Sequence, residues 1–254
     1  MASLNERVKA YWEQEPCGTS PELIGTLRPH SWEWFAQIEA YRYQVEPFIH
    51  AAAQFTRFHG QRLLEVGVGV GTDHVQWARA GADCYGIDLT DAAIETTREH
   101  LTIYGLDSRL ERMDAEHLRF DDAFFDVVYS WGVIHHAESP ERIVGQIWRV
   151  LKPGGQFIGM FYHRRSLLAL RLWVKHGLLR GRITRSWADV IAHHMESAGT
   201  KAYTVPELKT MFSAYRTCTA VPILTPYDRV KWPGWLSQFF PDRWGWFIVV
   251  KAVK

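Results

Sequence analysis

The chain has 254 residues, 47% of them hydrophobic and 22% charged, with 29 basic against 28 acidic side chains. A chain of this size builds a core without disulfide or metal staples, and balanced charge leaves no basic excess for neutralising nucleic-acid phosphates. Cys17, Cys84 and Cys218 are widely spaced and form neither a CxxC pair nor a zinc pattern, so neither a disulfide framework nor a metal site is expected.

The opening MASLNERVKAYW is polar, without the apolar stretch of a signal peptide, and no run approaches the ~20 apolar residues of a membrane span, so the expected setting is the cytoplasm. Residues 1–58 read as a helical, aromatic cap interrupted by Pro16, Pro21 and Pro29, with one helix over 32–53. From 59 to 161 strands and helices alternate. Strands are expected at 62–66, 84–87, 109–113, 125–130 and 156–161, with helices at 72–80, 91–104 and 140–150 between them. Thr90 is placed to cap the second of these helices and Ser139 the third, which Pro140 opens. Lys152-Pro-Gly-Gly155 reads as a turn. Residues 162–203 break the rhythm as a helical insertion over the sheet. Residues 204–254 complete it, with a capping box at Thr204-Val-Pro-Glu207 and two closing strands at 216–223 and 246–253. Strands alternating with helices predict an α/β, Rossmann-like, doubly wound sheet. Tryptophans gather toward the ends of the chain, at 12, 32, 34, 232, 235, 244 and 246, as core packing or as aromatic walls around a ligand.

Three features carry chemistry. Glu65-Val-Gly-Val-Gly-Val-Gly71 lies between a strand and a helix, where Gly67, Gly69 and Gly71 allow a sharp turn and a close approach of backbone to ligand. Its GxGxG spacing departs from the GxGxxG of dinucleotide enzymes and argues against a pyrophosphate on the helix terminus. Asp88 ends the second strand, at the spacing where an acid grips a ribose diol. Thr90 is available for the cap that Asp88 would otherwise supply. Asp114, beside Ala115 after the third strand, could accept from an adenine amino group or sit as a solvated loop acid.

Taken in order, LLEVGVGVGTD, GIDLT, MDAEHL, FDVVYSWGVIHH and RVLKPGGQF resemble the successive motifs of class I S-adenosylmethionine-dependent methyltransferases. The likeness is greatest to the small-molecule, type 11 group that includes the quinone-biosynthesis enzymes, and it covers about residues 60–161. It implies seven strands with the last antiparallel, and S-adenosyl-L-methionine as cofactor. Glu65, Gly67, Gly69 and Gly71 would shape the methionine side. Asp88 would hold the ribose, Leu89 would flank the adenine, and Asp114 with Ala115 would meet its edge. Backbone carbonyls of the Gly67 turn and of Ser130–Trp131 would receive the methionine ammonium. The termini and the insertion, where this family chooses acceptors, fall outside the resemblance.

His135 and His136 follow the fourth strand, and either could take a proton from an acceptor, His135 being the first candidate. Tyr11 with His135 looks similar to the latch of the phosphoethanolamine methyltransferases. Seven basic residues lie between Arg164 and Arg185, with no acid among them and leucines interleaved. This stretch reads as a solvated helix face, a lid over an anionic acceptor, or a contact with an anionic membrane. The expected reaction is methylation of oxygen or nitrogen on a small acceptor, anionic or aromatic in character. The alternatives are a thiol acceptor, which needs little help from a base, and a cofactor-binding protein without catalysis. The oligomeric state is not readable from the sequence.

Overall fold

The computed structural model describes residues 2–14, 16–197, 199–230, 234–237 and 239–254. Trp232 therefore lies outside the described residues. Seven strands form one sheet: β1 (Arg62–Val66), β2 (Asp83–Asp88), β3 (Arg109–Arg112), β4 (Phe125–Trp131), β5 (Leu151–Tyr162), β6 (Thr217–Ile223) and β7 (Phe247–Val253). Their spatial order is β3-β2-β1-β4-β5-β7-β6. The first five pair in parallel, whereas β7 runs antiparallel to both β5 and β6. The order reverses between β1 and β4, and in open α/β sheets ligands settle at such a switch point, beyond the carboxyl ends of the strands.

Side chains alternate across the sheet and feed two cores. Leu64, Val66, Val128 and Phe157 pack on one face, with Ile143, Val144, Ile147 and Val150 of the helix Pro140–Val150. Leu63, Val127, Tyr129 and Ile158 pack on the other, with Phe55, Ile49 and the buried Trp77. Parallel strands covered on both faces require near-continuous apolar runs, which is why FDVVYSW reads as a strand.

The structure corrects several local expectations. The single helix over 32–53 is two, Trp32–Val45 and Phe48–Ala53, because Pro47 cannot donate and breaks the ladder after Glu46. Thr90 caps its helix by accepting from the Ala93 amide, but the Ser139 side chain makes no cap bond. Instead the Ser139 amide donates to Glu116 Oε1 at 2.9 Å. The Lys-Pro-Gly-Gly turn is absorbed into β5. Phe125 pairs with Leu151 and Val127 with Gln156, so the intervening residues bulge from the β4 ladder, and Gly154 donates to the Lys254 carbonyl. The insertion forms two short helices, Leu167–His176 and Trp187–His194, and its ends are tied where the Tyr203 amide donates to Tyr162 O. Among the described residues no helix is long and apolar enough to cross a membrane.

Candidate functional site

The turn after β1 is held by its own backbone. The Gly67 and Val68 amides both donate to Ile87 O at the end of β2. Gly67 sits at φ +82°, and a Cβ there would lie 2.2 Å from Val133 Cγ2, so the loops after β1 and β4 touch across the switch point. At Gly69 (φ +55°) nothing lies within 4 Å of an added Cβ, and this residue opens onto the cavity described below. Gly71 does not reach it; its α-carbon packs against Thr97 of the next helix.

Glu65 is buried and lies 2.9 Å from His74 Nδ1. His74 Nε2 meets Ser108 Oγ, which donates to Cys84 O. A donor chain from a protonated Glu65 through neutral His74 to Ser108 satisfies each of these atoms without charge. That order agrees with burial and Asp73 pushing Glu65 well above the ordinary carboxyl range, and with burial and His100 pushing His74 down to about 3.

Asp88 accepts three internal bonds, from Gly69 N (3.1 Å), Thr90 N (3.0 Å) and Thr90 Oγ1 (2.8 Å). Burial raises its carboxyl above the ordinary value, and these bonds oppose the rise. Asp114 accepts from Glu116 N at 2.9 Å and from Asn5 Nδ2 at 3.2 Å. Asn5 belongs to the helix Leu4–Gln14, which is also pinned by Glu138 N donating to Asn5 Oδ1. The N-terminal helix thus lies over the strand ends, and Asn5, Val8, Lys9 and Trp12 form cavity wall.

A single cavity of about 710 Å³ runs along the carboxyl edge of the sheet. At one end it is walled by Asp114 and Ala115 after β3, Asp88 and Leu89 after β2, and Gly67 and Gly69 after β1. At the other it is walled by Trp131 of β4, Tyr162 of β5 and Phe247 of β7, joined by Trp246, Tyr227, Met160 and Met195. Its size falls within the range of small-molecule sites. Ser130 is not on the wall; its hydroxyl is buried and donates to Val66 O at 3.0 Å.

The aromatic end carries acids that sequence reasoning missed. Glu46 is buried, accepts from Trp131 Nε1 at 2.8 Å and lies 3.6 Å from Arg42. Glu196 lines the cavity and accepts from the Tyr162 hydroxyl at 2.9 Å. Arg42 is committed to Asp73 at 2.7 Å, and the Tyr43 and Tyr129 hydroxyls also donate to Asp73. The only sequence signal for this group is the spacing of Arg42 and Glu46 four apart on one helix face.

The candidate bases separate. His136 lines the cavity and its Nδ1 meets Ser197 Oγ at 2.8 Å and Thr200 Oγ1 at 3.1 Å. His135 is fully buried off the wall, its ring 3.9 Å from that of Tyr162, and neither ring nitrogen has a partner. Burial, with His136 and the Lys201 ammonium nearby, holds His135 well below its ordinary value, and burial with Lys201 holds His136 at about 3, so both rings are uncharged at neutral pH and weakly basic. Tyr11 is half-buried on the N-terminal helix and is not part of the wall; Trp12 is, with its ring edge-on to His136 at 5.5 Å. Of the seven basic residues between 164 and 185, only Arg171 lines the cavity. Arg164 pairs with Glu207 and Arg185 with Asp189. Among the described residues no cluster of His, Cys, Asp and Glu is placed to hold a metal ion.

Residues 64–159 match the family model described as a methyltransferase domain. Those residues therefore carry a methyltransferase domain. Its cofactor is S-adenosylmethionine. The chain is 35% identical over 129 residues to 24-methylenesterol C-methyltransferase 2 of Oryza sativa subsp. japonica, covering 48% of this chain and 36% of that one. It is 35% identical over 130 residues to the ubiquinone biosynthesis O-methyltransferase of Maricaulis maris, covering 49% of this chain and 51% of that one. The chain thus spans about half the length of such relatives or less. Magnesium protoporphyrin IX methyltransferase from Synechocystis, solved with S-adenosylmethionine bound, superposes with a TM-score of 0.61 at 12% identity, over 100% of this chain and 98% of that one, a likeness of fold alone. The methyltransferase domain therefore accounts for one end of the cavity, and the aromatic end is built by segments largely outside the matched residues.

Proposed function

We propose that this protein transfers a methyl group from S-adenosylmethionine to an oxygen or nitrogen of a small molecule held in the aromatic end of the cavity, in the cytoplasm. The observation that carries this reading is the continuity of the cavity, which joins the glycine turn and Asp88 to Trp131, Tyr162 and Phe247 across the switch point. The donor's sulfonium supplies an electrophilic methyl group when bound. This chain's residues fit that donor. Gly67 and Gly69 line the cavity for its methionine end, and Trp131 with Gly132, rather than Ser130 with Trp131, lines the wall after β4 where backbone carbonyls would receive the ammonium. Asp88 takes a ribose hydroxyl, while Leu89, Asp114 and Ala115 receive the adenine. Glu65 reaches the cavity wall beside the turn, Gly71 supports the turn from behind, and Ser130 ties β4 to β1.

Catalysis in this reading is alignment of acceptor and methyl group with water excluded. Trp12 and Asn5 close the cofactor side, and His136 offers a neutral hydrogen-bonding edge. His135 and Tyr11 act through packing behind that surface. Calorimetric titration with S-adenosylmethionine tests the reading directly: one molecule bound per chain is expected, and no detectable binding refutes it.

The basic stretch supports a second element, a peripheral contact with an anionic bilayer. Leu178, Leu179 and Ile183 are 47%, 76% and 63% exposed beside Lys175, Arg180 and Arg182. Co-sedimentation with phosphatidylglycerol vesicles that weakens with salt is expected; retention equal to that on neutral vesicles counts against it.

A further inference from the structure

The aromatic end of the cavity is unbalanced in charge. Of the cations on the whole wall, Lys9 pairs with Glu13 and Asp91, and Arg42 with Asp73 and Glu46. Arg171 donates to the Val230 carbonyl. Glu196 has no cation within salt-bridge distance among the described residues; its recorded partner is the neutral Tyr162 hydroxyl. Around it stand aromatic rings: Tyr162 stacks on Trp246 at 4.5 Å and on Phe247 at 5.8 Å, with Trp131 and Tyr227 on the same wall.

Resting on the methyltransferase reading above, we infer that the acceptor is an amine that enters as its ammonium, with Glu196 as counter-ion and Tyr162, Trp131 and Trp246 as the aromatic cage. An ammonium over electron-rich rings gains cation–π attraction, and most when desolvated. A carboxylate or phosphate in the same place would face Glu196 and Glu46, find Arg42 already neutralised, and have only Arg171, tied to the Val230 carbonyl, to turn to. A neutral alcohol would leave the Glu196 charge, which is exposed on the cavity side, covered without a counter-ion.

Glu196 also answers the proton problem. An ammonium has no lone pair, so one N–H bond must break with its electrons staying on nitrogen before that nitrogen can be methylated. The proton passes to a Glu196 carboxylate oxygen, forming an O–H bond and a neutral acid. Glu196 is exposed on the cavity side, and the partial desolvation of that setting with the nearby Glu46 raises its carboxyl, against the opposing Tyr162 bond, which suits it to accept this proton better than His136.

The test is calorimetry on the full chain saturated with S-adenosylhomocysteine, titrated with 2-phenylethylamine, 2-phenylethanol and phenylacetate as matched probes. The amine is expected to bind about tenfold tighter than the alcohol, and phenylacetate weakest of the three. Glu196→Gln should weaken the amine about tenfold, while the alcohol and S-adenosylhomocysteine stay within about twofold. Equal or tighter binding of alcohol or carboxylate, no binding of any probe, or an amine affinity indifferent to Glu196→Gln overturns the inference. If S-adenosylhomocysteine binds and the amine preference is missing, only the acceptor assignment falls; if S-adenosylhomocysteine itself does not bind, the methyltransferase reading falls with it.

Discussion

Replacing Asp88 tests the cofactor end of the cavity most sharply, because its lone pairs can be counted. A carboxylate offers about four acceptor sites, and Gly69 N, Thr90 N and Thr90 Oγ1 occupy three. One site remains for a ribose hydroxyl. A second hydroxyl must displace the Thr90 hydroxyl proton, which can turn away while Oγ1 keeps its bond from Ala93 N. A hydrogen bond to a charged group contributes about 1.5–3 kcal/mol, and losing the anchor of Gly69 adds disorder to the turn. Asp88→Ala should therefore weaken S-adenosylmethionine binding by about 3 kcal/mol, roughly 150-fold. Thr90→Val should cost about 1 kcal/mol of stability through the lost cap, yet leave binding unchanged or tighter by freeing a lone pair. Calorimetric titration alongside thermal unfolding reads both. A dissociation constant for folded Asp88→Ala within about threefold of wild type would refute the assignment. Binding should also fade on acidification sooner than for a free aspartate, because burial raises this carboxyl and its neutral form accepts more weakly.

Gly67→Ala drives a Cβ to 2.2 Å from Val133 and imposes a positive φ on alanine. A loss of about 2–4 kcal/mol in urea unfolding is expected, partly recovered by adding Val133→Ala, whereas recovery to wild type would deny the backbone strain. Arg42→Met strips the buried Asp73 and Glu46 of their cation. The expected cost is about 3–5 kcal/mol, and a change below about 1 kcal/mol would mean that the tyrosine hydroxyls alone satisfy Asp73. His135 is held neutral in the fold and protonates in the unfolded chain near its ordinary 6.5, so wild-type stability falls as pH drops below that value. His135→Leu should remove about 1.4 kcal/mol per pH unit of this loss between pH 6 and 5, at unchanged cofactor affinity. Parallel stability curves for variant and wild type would show that the ring already carries its proton in the folded state.

The parallel core was legible because its determinants are local. Apolar runs bounded by Gly67, Gly81 and Gly105, the Thr90 cap and the Thr204–Glu207 pair each act within a few residues, through φ/ψ preference and backbone hydrogen bonding. Asp88 and Asp114 could be placed for the same reason, since the end of a parallel strand fixes where its last side chains stand. Short-range pattern failed where packing sets direction. Gly71 and Ser130 share motifs with wall residues yet face inward, and adjacent His135 and His136 part because one ring fills the space beside Tyr162 and the other turns to the cavity. The acceptor end was legible only in part, through tryptophans such as Trp246 that could wall a ligand, and its acids were invisible in one dimension. Glu46, Tyr162, Glu196 and Phe247 come from four segments, and only the reversal of strand order between β1 and β4, with β7 inserted antiparallel beside β5, brings them to one wall. By itself, then, the sequence determined a sheet with a nucleoside-sized turn at its edge, because backbone geometry is written locally. Which charges and rings confront the acceptor was decided by tertiary structure, because their proximity is a property of how the chain returns on itself.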